Sequence, residues 1–100
     1  MAELPELNPI IHGKLRLALI SLLAGVEHAE FTWLRAKTGS TDGNLGAQLT
    51  KLEEAGYVTV KKKFVQRKPQ TLYRMTEAGR QALTEYVQDL KQLLGGAIGG

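Results

Sequence analysis

A dense group of positive charge lies in the second half of the chain. Between residues 61 and 74 there are six basic side chains and no acidic one. They are Lys61, Lys62, Lys63, Arg67, Lys68 and Arg74. Lysine and arginine in such a group can neutralise the phosphates of a nucleic acid. A solvated hairpin edge that its lysines keep from aggregating explains one or two of these charges, but six without an acid favour nucleic-acid contact.

A polar helix face precedes this basic group. Asn44, Ala47, Gln48 and Lys51 recur at helical spacing. A separate apolar stripe at the same spacing is formed by Leu45, Leu49 and Leu52. Asparagine and glutamine can bond bidentately to adenine, and lysine can reach guanine or a phosphate. We therefore expect the leucines to face a core and the polar face to read base edges.

A helix, a turn and a hairpin must position these side chains. Thr41 is a natural N-cap, and Asp42 places a negative charge in the first turn, where the helix dipole favours it. The helix ends at Gly56, which permits a left-handed backbone. Content of β-branched residues predicts a strand over residues 58–64, with its partner over residues 72–75. A polar helix followed by a basic hairpin is typical of a winged helix.

The hairpin loop is predicted over residues 65–70, because Pro69 lacks a backbone donor and suits a loop better than a paired strand. Alternation along the strands assigns four side chains to the core face: Val58, Val60, Tyr73 and Met75. It assigns four others to the outward face: Thr59, Lys61, Lys63 and Arg74. Lys62 falls on the inward parity, so either it lies beyond the covered part of the sheet or a bulge intervenes.

Before the polar helix, a short helix is predicted over residues 33–38. Phe31 and Thr32 suit a hydrophobic-staple position and an N-cap. Trp33 and Leu34 should face the core. The turn that follows, at residues 39–40, gives the order of a helix-turn-helix.

The first and last helices are predicted to be strongly apolar. The first is expected over residues 9–24, since Asn8 followed by Pro9 suits a helix start. Because this helix is apolar on nearly all sides, it must be buried on two of them. The second side would pack against a partner subunit or within the core of a monomer. The last begins at Thr76 and Glu77 and runs to about residue 94. Its apolar seam at near-heptad spacing consists of Leu83, Tyr86, Val87, Leu90, Leu93 and Leu94.

The composition is that of one small globular domain. The chain has 100 residues, 43% of them hydrophobic, and a net charge of +3. Outside the basic group it has seven basic and ten acidic residues, so the positive charge is directed to one region. We expect an N-terminal arm over residues 1–7, one domain with a terminal dimerisation helix over residues 8–94, and a flexible tail over residues 95–100.

Several kinds of chemistry are not expected. The absence of cysteine excludes disulfides and thiolate metal sites. No nucleophile is paired with a base, and no glycine-rich phosphate loop occurs. His12 and His28 lack the spacing of metal ligands. We therefore expect no catalytic residue, no metal and no cofactor. The first residues do not read as a signal peptide, and the apolar run at residues 17–24 is too short for a membrane span. A cytoplasmic protein is expected.

Three stretches in this order resemble a known family: LNPIIHGKLRLALISLL, TGSTDGNLGAQLTKLEEAGYVTVKKKF and RKPQTLYRMTEAGRQAL. Over residues 8–90 they resemble the small winged-helix DNA-binding domain proteins related to the multiple-antibiotic-resistance-regulator (MarR) type. The resemblance implies a dimeric transcriptional regulator with a recognition helix over residues 41–55 and a wing over residues 64–71. The helix positions that would face DNA are Thr41, Asp42, Gly43, Asn44, Gln48 and Lys51. The wing positions are Arg67, Lys68 and Thr71.

Together these observations predict a mainly α member of the α+β class, a winged helix-turn-helix whose N- and C-terminal helices form a dimer interface. The expected function is a homodimeric regulator that reads a pseudo-palindromic site in double-stranded DNA. Lys61, Lys63 and Arg74 add to its contacts with DNA. The alternative is a winged-helix module that binds a protein and no specific DNA sequence. Many MarR-type relatives bind a small effector, which here would have to use the dimer cleft near Trp33, Tyr86 or the first helix.

Overall fold

The computed structural model describes residues 4–95, which form four helices and one antiparallel sheet of three strands. In chain order the elements are α1 (Lys14–Ala24), β1 (Ala29–Glu30), α2 (Phe31–Thr38), α3 (Asp42–Glu54), β2 (Val58–Val65), β3 (Lys68–Met75) and α4 (Glu77–Gly95). The strand order in the sheet is β1-β3-β2. The predicted winged helix-turn-helix, mainly helical and of the α+β class, is confirmed.

One hydrophobic core joins the helices to the base of the sheet. Its fully buried members are Ile11, Leu19, Ile20, Leu23, Leu34, Leu45, Leu49 and Leu52. Each buried leucine or isoleucine contributes about 1.5–3 kcal/mol relative to an exposed one. The three leucines of α3 all point into this core, as predicted, so their burial fixes the rotation of α3 about its axis and leaves the polar face outward.

The start of α1 differs from the prediction. Asn8 does act as a cap, since its side-chain oxygen accepts hydrogen bonds from the backbone nitrogens of Ile10 (2.9 Å) and Ile11 (3.2 Å). Only one turn follows before Gly13, whose extended backbone (φ −146°, ψ 134°) forms the N-cap of α1. The helix predicted over residues 9–24 is therefore wrong in its first turn, because glycine favours a break there over helix continuation.

The first helix of the helix-turn-helix, α2, also begins earlier than predicted. Its N-cap is Glu30 instead of Thr32, because the two residues of β1 pair with β3 and lead directly into the helix. Leu34 is buried, but Trp33 is 37% exposed, with Lys37 Nζ 5.5 Å from the ring centroid. The expectation that Trp33 faces the core is thus wrong.

The hairpin of β2 and β3 is longer and tighter than predicted. Its turn is two residues, Gln66 and Arg67, and the loop predicted over residues 65–70 is wrong. Pro69 lies in β3 opposite Phe64. In a two-residue hairpin the pair next to the turn exchanges hydrogen bonds and the following pair does not, so Pro69 has no bond to donate to β2. Since β1 pairs with β3 only farther from the turn, the nitrogen of Pro69 faces solvent.

The register of the hairpin decides the position of Lys62. Pairing between β2 and β3 is unbroken from Val58↔Met75 to the turn, so no bulge intervenes. Val58 and Met75 are buried and Lys62 is exposed, so Lys62 lies beyond the part of the sheet that the core covers. Tyr73 is half-buried, and its burial, with a smaller effect of the Glu53 carboxylate, raises the pKa of its phenol, which stays neutral at pH 7.

The last helix, α4, is anchored at its beginning and projects at its end. Thr76 Oγ1 accepts a hydrogen bond from Gly79 N (3.0 Å) and donates one to Gly56 O (2.6 Å). Toward the other end, Val87 and Leu94 are 40% and 41% exposed. The molecule is elongated, with extents of 59 × 25 × 20 Å. Over the described residues, no helix is both long enough and apolar enough to cross a membrane.

The predicted arm and tail lie largely at the two ends of the chain. Residues 1–3 and 96–100 fall outside the described residues, and the flexible tail predicted over residues 95–100 stays a prediction. Residues 4–7 form neither helix nor strand, although Leu7 packs against the core. Gly95 is the last residue of α4.

Close packing at Gly79 gives a stability test. A Cβ at Gly79 would lie 2.2 Å from the carbonyl oxygen of Tyr57, whereas one at Gly46 in α3 would meet no atom within 4 Å. Gly79→Ala should therefore lower the free energy of unfolding by about 1–3 kcal/mol or more. Gly46→Ala should raise it by about 0.5–1 kcal/mol, because alanine loses less backbone entropy in a helix. Urea denaturation measures both, and an unchanged Gly79→Ala variant would contradict the packing of α4 on Tyr57.

Candidate nucleic-acid interface

The predicted reading face of α3 is present on the surface. Thr41 caps the helix, its Oγ1 accepting a hydrogen bond from Asn44 N at 3.2 Å. Thr41, Gly43, Asn44 and Lys51 are exposed, and Gln48 is half-buried. One helix thus carries these predicted positions. Thr41, Gly43 and Asn44 lie at the end where its dipole is positive and attracts phosphate, whereas Lys51 lies in its last turn.

Asp42 differs from the other predicted positions because its carboxylate is paired. Arg35 Nη1 of α2 donates to Asp42 Oδ1 at 2.7 Å, the only ion pair between residues 4 and 95. The bond links the two helices of the helix-turn-helix across the turn. It also offsets a negative charge that would otherwise repel DNA.

Gln48 is held by an arginine that sequence reasoning missed. Arg16 Nη1 of α1 donates to Gln48 Oε1 at 2.5 Å, and Gln48 Nε2 donates to Asn44 Oδ1 at 3.2 Å. Arg16 also donates to two carbonyls of the first turn, from Nε to Ile10 O (2.5 Å) and from Nη2 to Pro9 O (3.3 Å). Arg16 and Gln48 are 32 residues apart, so no local sequence pattern predicts their contact.

The hairpin follows α3 after a sharp reversal of the chain. Only residues 55–57 separate α3 from β2, Gly56 takes a left-handed backbone (φ 80°), and the two elements pack together. The eight residues of β2 span about 26 Å, and residues 61–65 of the strand are all exposed. The tip of the hairpin therefore projects from the core.

The basic group is spread over both faces of the hairpin. Residues paired across antiparallel strands share a face, and sides alternate along each strand. Lys61, Lys63, Lys68 and Arg74 therefore lie on the face turned away from the core. Thr71 is paired with Lys62 on the opposite face, and Arg67 lies in the turn. Four of the six cations thus share the outward face, with Arg67 at the tip and Lys62 alone on the other face.

None of these cations is neutralised within the described part of the chain, where all six are exposed and none forms an ion pair. A polar bridge ties the hairpin to the body, since Gln70 Nε2 donates to Glu30 Oε1. Six free cations on a tethered hairpin form a surface to which phosphates can bind.

Arg67 occupies a backbone conformation that favours glycine. Gln66 and Arg67 have φ of 52° and 67°, the left-handed pair that a two-residue hairpin requires and that asparagine and glycine usually supply. A side chain at such a position costs about 1–2 kcal/mol. The arginine is thus displayed at the tip at the expense of stability.

Two grooves flank these surfaces. One of about 900 Å³ runs between α1, α2 and α3, and its wall includes Lys14, Arg16, Lys37, Asn44 and Gln48. The other, about 700 Å³, lies against the outward face of the sheet and is lined by residues that include Trp33, Lys63, Gln70 and Leu72.

Tyr86, a predicted neighbour of an effector, is 3% exposed, and its hydroxyl bonds to His12 Nδ1 at 2.8 Å. This bond engages the buried Tyr86 hydroxyl with a histidine that is itself exposed. Over the described residues there is no group of three or more side chains that could hold a metal ion.

Comparison with known proteins assigns the family. The profile of the family described as winged helix DNA-binding domain matches residues 15–94. An uncharacterised protein of Methanocaldococcus jannaschii is 38% identical over 84 residues, which cover 84% of this chain and 91% of that protein.

Solved structures agree with the fold. A transcriptional regulator homologue of Pyrococcus horikoshii superposes with a TM-score of 0.82 at 26% identity, over 88% of this chain and 87% of that one. A PadR family transcriptional regulator of Eggerthella lenta superposes with a TM-score of 0.63 at 24% identity, over 86% and 82% of the two chains, and shows the fold alone. Neither structure is described as MarR-type. The family and its fold are those of DNA-binding domains and not of enzymes, in agreement with the expected lack of catalysis. The chain belongs to the winged helix DNA-binding domain family.

Proposed function

We propose that the chain is a homodimeric transcriptional regulator that binds double-stranded DNA, with α3 in the major groove and the hairpin on the backbone or in the minor groove. The observation that carries this proposal is the occurrence of two surfaces on one small domain. One is the exposed polar face of α3, and the other is a hairpin tip whose cations have no acidic partners among residues 4–95. A duplex is the ligand that needs both surfaces at once.

On α3 the proposed contacts divide between bases and backbone. Asn44 and Gln48 carry the amides that reach base edges, and Lys51 reaches guanine or a phosphate. Thr41 and Gly43 lie at the positive end of the helix dipole, next to a phosphate. Asp42 acts indirectly, by holding Arg35 and so fixing the helix-turn-helix angle.

On the hairpin the proposed contacts are with phosphate. Arg67 and Lys68 at the tip approach the duplex first, with Thr71 behind them. Lys61, Lys63 and Arg74, on the outward face of the sheet, attract the phosphates that flank the site. The strand register supports this division, because Lys61, Lys63, Lys68 and Arg74 share the outward face of the hairpin.

The dimer is proposed from the unpacked end of α4. Leu83, Tyr86 and Leu90 of the predicted seam lie against the core, whereas Val87 and Leu94 remain exposed. A second copy of α4 would bury them, and a two-fold axis there would give a pseudo-palindromic site with half-sites about 34 Å apart. The MarR type and a cytoplasmic location belong to the proposal, and the Pyrococcus horikoshii relative, described as a transcriptional regulator homologue, supports its regulatory part.

A fluorescence-anisotropy titration tests the function. The probes are a labelled duplex from the region upstream of the encoding gene and a scrambled duplex, each at two salt concentrations. We expect tighter binding to the upstream duplex. Added salt should weaken this binding strongly, because the protein displaces condensed cations from the duplex when it binds. No binding at low salt would refute the proposal and leave the alternative, a winged-helix module for protein partners. Equal binding to both duplexes would refute sequence-specific regulation.

Substitutions at the wing tip separate loss of contact from loss of fold. Arg67→Gly and Lys68→Ala should each weaken binding to every duplex and reduce the slope of log K against log salt by about 1. Arg67→Gly should at the same time stabilise the fold, by up to about 1 kcal/mol, because it relieves the left-handed backbone. Lys91→Ala, which removes an exposed cation of α4, is the control. A slope that Arg67→Gly and Lys68→Ala leave unchanged would remove the wing from the interface.

Charge placed in the exposed seam of α4 tests the dimer. The double substitution of Val87 and Leu94 by glutamate should give a folded monomer in sedimentation equilibrium, because an unpaired carboxylate is costly to bury. The matched control puts glutamate at Gln88 and Gln92, which are exposed on the same helix. The control should stay dimeric. A wild-type chain that is monomeric throughout, or a dimer that survives the double substitution, would contradict this interface.

A further inference from the structure

Arg16 holds the reading face of α3 from a different helix. Its guanidinium is fixed by two carbonyls of the first turn and directs Nη1 onto Gln48 Oε1 at 2.5 Å. It is outside the residues that the sequence pattern assigned to DNA contact. The guanidinium of Arg16 therefore has a defined orientation, and its polar partner, Gln48, lies at the centre of the proposed interface.

The chemistry of arginine determines how the two amides are oriented. A guanidinium has only donors, so the atom of Gln48 that faces Arg16 must be the oxygen. The amide nitrogen of Gln48 then points to Asn44, whose facing atom must in turn be the acceptor Oδ1, as observed at 3.2 Å. Each amide oxygen accepts one hydrogen bond within the protein, which uses one of its two lone pairs and fixes its direction. The free donors are Asn44 Nδ2, which forms no hydrogen bond among residues 4–95, and the second hydrogen of Gln48 Nε2.

A face whose amide nitrogens are free and whose amide oxygens are directed at partners within the protein favours some bases over others. In the major groove guanine presents two acceptors, N7 and O6, and thymine presents O4. Adenine presents the acceptor N7 beside an amino group, and cytosine presents an amino group; these amino groups are donors and would oppose the free amide hydrogens. Bidentate reading of adenine, the expectation from an isolated asparagine or glutamine, needs an amide oxygen directed at the adenine amino group, whereas both oxygens here are directed at Arg16 and Gln48.

We propose that Arg16 is a positioning residue that sets the base preference of α3 toward guanine, with thymine second, and against adenine and cytosine. The inference rests on the proposed function, since it concerns the bases that the same helix reads. It names a specificity determinant that touches no DNA itself.

Gly13 provides a way to displace Arg16 without changing charge. A Cβ at Gly13 would lie 2.6 Å from Arg16 Nη2 and 2.8 Å from Cζ, so the guanidinium must move away. The backbone of Gly13 is extended and accepts alanine without strain. Gly13→Ala should therefore release Gln48 while it keeps every charged residue.

The experiment is selection of bound duplexes from a randomised library, followed by sequencing, for the wild type and four variants. Arg16→Met and Gly13→Ala release the amides. Gln48→Ala identifies the position in the site that Gln48 reads. Lys14→Met removes a cation from the same helix and the same groove, without a hydrogen bond to α3, and is the matched control. Anisotropy at several salt concentrations then compares guanine with adenine at that position.

We expect the wild type and Lys14→Met to prefer guanine over adenine there by at least about fivefold, the scale of one mismatched base pair. In Arg16→Met and Gly13→Ala this ratio should fall to within about twofold, because a freed amide also reads adenine. Gly13→Ala should leave the salt slope unchanged, which a direct contact of Arg16 with phosphate would not allow.

Two results would overturn the inference alone: a wild-type site with adenine at that position, or a guanine preference that persists in both Arg16→Met and Gly13→Ala. A wild type that selects no motif would instead overturn the proposed function, and the inference with it. Thermal unfolding of each variant confirms that a changed motif comes from a folded protein.

Discussion

Burial of the leucine stripe of α3 is the constraint on which the rest of the structure depends. Leu45, Leu49 and Leu52 are fully buried against α1 and the sheet, and three leucines at helical spacing permit only one rotation of the helix. That rotation brings Asn44 and Gln48 to the surface. Were the helix free to turn, neither the contact with Arg16 nor a defined reading face would exist.

The hairpin depends on the same helix in a second way. Its first strand, β2, starts just after α3 ends, and it packs on α3 after the chain reverses at Gly56. Near the core the sheet is held by Val58 and Met75, and beyond it the strands carry basic side chains together with the exposed Phe64 and Val65. The part of the hairpin that stabilises the fold and the part that displays cations are thus successive segments of the same two strands. The left-handed backbone at Arg67 agrees with this division, because a hairpin selected for stability alone would place glycine there.

Much of this arrangement could be predicted, because the signals are local. The N-cap at Thr41, the leucine stripe and the strand at Val58 all depend on neighbouring residues, and all three are confirmed. The prediction of the hairpin turn is wrong because Gln66 and Arg67 are not the residues usually found in such a turn, and because Pro69 is a residue typical of loops. Tertiary register, which leaves the nitrogen of Pro69 in solvent, overrides that local signal.

The candidate site was only partly predictable for a related reason. The exposed polar residues of α3 can be predicted from periodicity. The hydrogen bond between Arg16 and Gln48 joins two helices, and no regular spacing in the sequence predicts it. The one indication of this arrangement in the sequence is Gly13, a glycine inside an otherwise helical pattern. The absence of a side chain at Gly13 leaves the space in which the Arg16 guanidinium lies. Which amide atoms are free at the surface therefore follows from the fold and not from the residue types.

The central claim is that α3 and the hairpin contact one duplex together. Amide chemical shifts of isotopically labelled protein, followed while a short duplex is added, test it most directly. The account predicts that the signals of Asn44, Gln48 and Lys51 and those of Arg67 and Lys68 move along the same titration curve, while those of Val87 and Leu94 stay in place. Signals that move only on the hairpin, or only on α4, would contradict it.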